Sequence, residues 1–287
     1  MADLRLAIDL RPDGARLAVI GDEGVHDLRR SARIDAVALA AAVAVLQARA
    51  PAAISRIGMA LAPGAVPSWT DAEALAQELG RSTGLPVRAA NLGACLAAGE
   101  ALVRTGDFVL LALGGPLVAG AVVEGKVWRP GSGGLDLGHV VVDPTGARCG
   151  CGRRGCLAAI VEDGGLFRLA TFHSLPLVPL SANPEGKPGI GPDRNAFAAN
   201  LAARAQDGEV RVAALFDDVG RAVGLALSAA AQVLGVRQAL LSGDAGTVAA
   251  LLPRVAACVR RHGGTDLQVQ ATAPLGETVL LGAAAIA

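Results

Sequence analysis

The stretch GHVVVDPTGARCGCGRRGCLAA, from Gly138 to Ala159, constrains this chain more than any other. Cys149, Cys151 and Cys156 fall within eight residues, and His139 lies ten positions before the first of them. The spacing H-x9-C-x-C-x4-C offers three thiolates and one imidazole, a donor set suited to tetrahedral zinc. Four protein ligands, His139, Cys149, Cys151 and Cys156, close the shell and make the expected site structural rather than catalytic. Gly146, Gly150, Gly152 and Gly155 let the backbone turn sharply enough to bring the sulfurs onto one ion. Arg148, Arg153 and Arg154 would offset part of the thiolate charge. Cys95 and Cys258 stand alone in helical runs and read as small packed hydrophobes. With three of five cysteines clustered at metal spacing, a reducing, cytoplasmic setting fits better than a disulfide framework.

At 287 residues the chain is long for one compact domain and suits two. It has no tyrosine, two tryptophans and five phenylalanines, so a core drawn from its 52% hydrophobic residues must be aliphatic. Twenty-six basic and 26 acidic residues cancel, which argues against nucleic-acid binding through bulk charge. The start, MADLRLAIDLRPDG, lacks the basic segment and apolar run of a signal peptide. No run approaches the roughly 18 apolar residues of a membrane span, so no membrane partner is expected.

Strand-like runs at 4–10, 15–21 and 25–30, split by Gly and Asp turns, predict an antiparallel meander. A helix is predicted over 35–50, a strand over 54–62 and a helix over 70–84, capped by Thr70 or Asp71 and ended by Gly80 or Gly84. Strand 85–91 and helix 92–106 follow. The pattern then restarts with strands at 107–115, 117–128 (containing a Glu-Gly turn) and 138–144. Helices at 159–170, 195–206 and 213–234, strand 236–243, helix 246–261, strand 266–271 and helix 276–287 complete it. Three strands followed by alternating helices and strands, twice over, imply two α/β domains with mixed sheets. The Pro/Gly-rich segment 174–193 reads as an irregular surface excursion.

LDLGHVVVDPTGARCGCGRRGCLAA resembles the signature of the ROK family (repressor, open reading frame, kinase), roughly E-x-G-H and then C-x-C-G-x-x-G-C-x-E. GLPVRAANLGACLAAGEA, LALGGPLVAGAVVEGKVWRPGSGG, DDVGRAVGLALSAAAQVLGVRQALLSGD and LGETVLLGAAAIA are similar to family segments in the same order. The resemblance therefore spans essentially the whole chain. It implies an α/β, two-domain actin-like fold of the hexokinase type (ribonuclease H-like), with mixed sheets and a structural zinc site. The smaller domain would comprise 1–104 plus 272–287, and the larger one, 105–271, would carry the clip on the sugar-binding side of a cleft.

Phosphoryl transfer from ATP needs backbone that cradles phosphate, a carboxylate that holds the metal, and a base for the substrate hydroxyl. Where family kinases resemble D-x-G-G-T, this chain has Asp9 but places Arg11, Pro12 and Asp13 at the Gly-Gly-Thr positions. Proline removes an N–H donor, the bulkier side chains block close backbone approach, and Asp13 repels phosphate. The second loop, G-T-G-x-G-x-G in the family, reads Gly114-Gly115-Pro116-Leu117-Val118-Ala119-Gly120. The adenosine-side glycines are thinned to Gly243 and Gly246 around Asp244. Asp9, Gly114, Gly115 and Gly243 remain as phosphate-loop remnants. The family's Asn-Asp pair, whose Asp is the catalytic base, is here Asn91-Leu92. Leucine cannot take a proton, and loss of a general base costs about 10²–10⁴-fold in rate. Glu100, two turns along, is the residue to which a base could relocate, and it reads as a surface residue.

On the sugar side, the resemblance assigns Asn91 to a sugar contact and His139 to a position facing both zinc and sugar. Asp136 replaces the Glu of E-x-G-H, and Ala158 stands where the final Glu is expected, leaving Glu162 or Asp163 to substitute. Trp69 can stack on a pyranose face or cover a domain edge, while Trp128 reads as structural packing. The expectation is a catalytically degenerate ROK protein that binds a sugar or sugar derivative as a regulatory or scaffold module. It would carry structural Zn2+, assemble as a homodimer or homotetramer, and be open to a protein partner. The degraded loops tell against ATP and Mg2+ as cofactors. The alternative is an ATP-dependent kinase of a hexose or cyclitol with a relocated base. The clip region looks more like the family's repressors than its glucokinases. The chain starts at the first sheet without a helix-turn-helix segment, so DNA binding by itself is not expected.

Overall fold

Short turns between aliphatic runs build the first sheet. In the computed structural model, which describes residues 3–113, 116–129, 134–162, 165–175, 194–262, 266–272 and 275–287, strands β1 (Leu4–Arg11), β2 (Gly14–Gly21) and β3 (Gly24–Ser31) form the antiparallel meander. Only Pro12 and Asp13 separate β1 from β2, and this two-residue hairpin sets Asp9 directly opposite Arg16. Helix α1 (Ala36–Arg49) begins where the Asp35 carboxylate accepts the Ala38 N–H at 2.9 Å. Strand β4 (Ile54–Leu61) then pairs with β1 in parallel. Helix α2 (Trp69–Thr83) leads to β5 (Val87–Asn91), which pairs with β4, giving the order β3-β2-β1-β4-β5.

Ser68, not Thr70 or Asp71, caps α2: it keeps an extended backbone and its hydroxyl accepts the Asp71 N–H at 3.2 Å. Gly84 ends the helix in the left-handed region, with φ of 70°. Helix α3 (Leu92–Ala101) stops five residues short of the predicted 106.

β1 and β4 are buried along nearly their whole length because both faces of the sheet are covered. Leu39 and Leu46 of α1 and Leu79 of α2 pack with Leu6, Ile8, Ile57 and Met59. The C-terminal helix α9 (Leu275–Ile286) also packs on β1 and β4, so closely that a Cβ at Gly58 would run into the Ala283 carbonyl. α3 packs on α9 just as tightly, with Gly282 against the Cys95 carbonyl.

The second sheet has the order β10-β9-β6-β7-β8, formed by β6 (Phe108–Ala112), β7 (Val118–Val123), β8 (Lys126–Val127), β9 (Gln238–Ser242) and β10 (Gln268–Ala271). β9 is parallel to β6 and β10, and β7 turns back into β8 at Glu124-Gly125, both residues at positive φ. The helices between are α4 (Leu157–Val161), α5 (Gly165–Phe172), α6 (Arg194–Gln206), α7 (Val210–Leu234) and α8 (Ala245–His262). The helix predicted over 159–170 is thus two short helices, α4 ending at Glu162 with an extended backbone. The strand predicted over 138–144 is not one; only Val141 bridges, to Cys156, because neighbouring backbone groups are used to fold the clip. Residues 176–193, most of the predicted excursion, lie outside the described residues.

The chain divides into two compact units: Met1–Gly106 with Gly120–Leu135 and Leu275–Ala287, and Asp107–Ala119 with Asp136–Pro274. No helix among the described residues is long and apolar enough to cross a membrane.

Candidate functional site

In the second unit, the clip is laced by backbone hydrogen bonds before any side chain is considered. The Val142 N–H bonds to the Gly155 carbonyl at 2.8 Å, Gly155 N–H to Ala147 at 2.9 Å and Cys149 N–H to Arg153 at 2.8 Å. Gly155, at φ 70°, lies against the Asp143 carbonyl where no Cβ fits. This lacing brings His139, Cys149, Cys151 and Cys156 together, with one ligand atom of each within 4.8 Å of all the others. The Cys151 and Cys156 sulfurs are 3.7 Å apart, and Cys149 Sγ lies 3.5 Å from His139 Nδ1. A tetrahedral ion with Zn–S of about 2.3 Å and Zn–N of about 2.0–2.1 Å requires edges of about 3.8 Å and about 3.5 Å. These two edges match those of a tetrahedral zinc, and three thiols with one imidazole suit that ion in chemistry.

The thiols differ in environment. Hydrogen bonds from Arg153, first from its backbone N–H and also from its side chain, lower the exposed Cys151 thiol to about 6. Burial pushes Cys156 up to about 11. Of the arginines expected to offset thiolate charge, Arg153 bonds Cys151, whereas Arg154 donates to the Gly146 carbonyl.

Asp136 is exposed, and its carboxylate accepts the His139 N–H at 3.3 Å. Ala158 is buried against the clip cysteines, and Glu162, half-buried, follows one turn later. Asp163, Gly114 and Gly115 lie outside the described residues. Gly243 packs on the Leu113 carbonyl, and Asp244 spends its carboxylate on capping α8 through the Thr247 N–H at 3.0 Å.

In the first unit, Asn91 ends β5 and caps α3, its Oδ1 accepting the Ala94 N–H at 2.8 Å. A Cβ at Gly134 would sit 2.6 Å from Asn91 Nδ2, so this glycine lets the backbone pass close to the amide. Leu92, at the expected base position, is 3% exposed and belongs to the buried face of α3. Trp69 is half-buried on the core, and its indole N–H donates to Glu73 at 2.8 Å. Glu100 corrects the sequence reading: it is buried, 3% exposed, and faces Arg104 at 3.7 Å. Every residue of α3 from Leu92 to Glu100 is buried, so this stretch has no solvent face for Glu100 to occupy.

Asp9 is completely buried, yet two arginines reach it. Arg11 Nε and Arg16 Nε both donate to Asp9 Oδ2 at 3.0 Å. Arg16 went unnoticed in the sequence; the signal was its place opposite Asp9 across a two-residue hairpin.

Two α/β units with mixed sheets match the fold of solved ROK structures. The ROK family profile matches residues 22–287, and the chain belongs to that family. A glucokinase of Thermotoga maritima is 33% identical over 129 residues, which cover 42% of this chain and 40% of that protein. The chain's match therefore spans less than half the length of that relative. Among solved structures, a ROK hexokinase from Thermus thermophilus gives a TM-score of 0.77 at 22% identity, covering 99% of this chain and 97% of the other. A ROK family transcriptional regulator, a homologue of the Escherichia coli MLC protein, gives 0.76 at 20% identity, covering 99% and 77%.

Proposed function

We propose that this chain is a ROK protein that binds a sugar or sugar derivative and acts as a regulatory or scaffold module without phosphotransfer. The observation that carries the reading is Leu92, a buried leucine where the family's kinases have their base. Gly243 and Asp244, bound up in local packing and capping, add to it. The proposed ligand contacts are Asn91, Trp69, Asp136, His139 and Glu162. His139, Cys149, Cys151 and Cys156 would hold one structural Zn2+, which supplies rigidity and no step of chemistry. The likeness to a transcriptional regulator supports the regulatory side of the reading, and self-association as a homodimer or homotetramer is proposed with it. Isothermal titration with a panel of sugars, beside a coupled ADP-release assay on the same panel, tests the proposal. Sugar binding without turnover is the expected result; turnover of any sugar would overturn it.

The 33% identity to a glucokinase favours the second reading, an ATP-dependent kinase of a hexose or cyclitol. That reading needs a relocated base, and the buried Glu100, ion-paired with Arg104, is poorly placed to serve. ADP release with one member of the panel would decide for it.

A further inference from the structure

The reactions of sugar kinases use a divalent cation with ATP, and by the resemblance of the first loop Asp9 is the carboxylate of this chain that would face one. The residues around Asp9 do not fit that ion. The carboxylate is 0% exposed, and both guanidiniums are on its Oδ2. Its Oδ1 is buried with no hydrogen-bond partner among the described residues. Mg2+ takes near-octahedral oxygen ligands and gives up its waters reluctantly. An ion reaching Oδ1 would have to lose that water shell and approach two guanidiniums that already outnumber the one carboxylate.

The placement of the arginines follows from the strand register. Asp9 and Arg16 are directly opposite on β1 and β2, and Arg11 lies two residues from Asp9 on the same strand. All three therefore project from one face of the sheet. Arg16 reaches further and donates from Nη2 to the Gly276 carbonyl at 3.2 Å, in the first turn of α9. One side chain thus ties the N-terminal hairpin to the C-terminal helix.

We infer that Arg11 and Arg16 serve as built-in counter-cations at Asp9, holding the first unit in place without a divalent ion and excluding one from that position. This rests on the non-catalytic reading above and supplies a cause for it at a residue other than Leu92.

The test is Mn2+ titration followed by electron paramagnetic resonance, on zinc-loaded protein. The wild type is expected to leave the free-ion signal unchanged, with Asp9→Asn making no difference. The double variant Arg11→Gln/Arg16→Gln is expected to gain about one Mn2+ per chain and to lose it when Asp9→Asn is added. Asp9-dependent uptake by the wild type would overturn the inference, and so would a folded double variant that takes up none. A second measurement covers the case in which the double variant does not fold. The wild-type melting temperature should be the same with and without millimolar Mg2+, and an increase abolished by Asp9→Asn would overturn the inference. A sugar panel without binders defeats the proposed function alone. Mn2+ held at Asp9 without turnover defeats this inference alone.

Discussion

Cys151 and Cys156 hold their sulfurs 3.7 Å apart, although Cys151 is exposed and Cys156 wholly buried. One ion bridging them would tie the rim of the clip to its floor. Cys151→Ser and Cys156→Ser are each expected to reduce bound zinc from about one per chain to none and to lower the melting temperature by several degrees. A chelator should lower the wild type to the same level and leave both variants where they are. Metal analysis with thermal melts checks this, and a zinc-free wild type of unchanged stability would count against the clip.

Asn91 caps α3 with Oδ1 and leaves Nδ2 as the group it can offer a ligand. Asn91→Ala is expected to cost about 1 kcal/mol of stability through loss of the cap. Asn91→Asp keeps an acceptor at the helix N-terminus and should retain that stability while losing the donor. Urea denaturation paired with ligand titration separates the two: the Asp variant should fold like the wild type and bind more weakly.

Leu92 is buried, at 3% exposure. Leu92→Ala should destabilise the protein by about 2–4 kcal/mol, as cavity-forming substitutions in a core do. Leu92→Asp places a carboxylate at the family's base position, yet no ADP release is expected while Arg11 and Arg16 hold Asp9. The denaturation midpoint checks the first statement and the coupled assay the second.

Asp35 gives a pH signature. The Ala38 N–H, together with Arg33, holds its carboxyl below the ordinary 3.8. A depressed folded value means that the contribution is complete above 3.8 and is lost as pH falls through the folded value. The stability gap between the wild type and Asp35→Ala should therefore be constant near neutrality and shrink below 3.8. Denaturant midpoints measured across that range check it; a gap that widens on acidification would contradict the capping role.

Gly282 meets the Cys95 carbonyl at the crossing of α9 and α3. Gly282→Ala is expected to cost about 1–3 kcal/mol by forcing two packed helices apart. Gly276, at the start of α9 with nothing within 4 Å of a Cβ among the described residues, should accept alanine with little change. Thermal melts of the two variants make the comparison.

The sequence by itself determined what is carried by local spacing. Runs of apolar residues between Gly, Pro and Asp turns set the order of strands and helices, because each element satisfies most of its backbone hydrogen bonds within or beside itself. The clip was legible for the same reason: its histidine and three cysteines fall within eighteen residues of chain, and its glycines mark the turns. The expectation that the base is missing rests on the identity of Leu92 alone. Tertiary structure decided what depends on segments far apart in the chain. Glu100 reads as a surface residue until α9 closes over α3, and Ser68 shows as the cap of α2 only once the entering backbone is seen. Arg16 is an ordinary strand residue until the hairpin turns it onto Asp9 and α9 brings Gly276, 260 positions away, within its reach. Burial and charge pairing belong to the assembled fold because they depend on which distant segments exclude water from a side chain, and no local pattern records that.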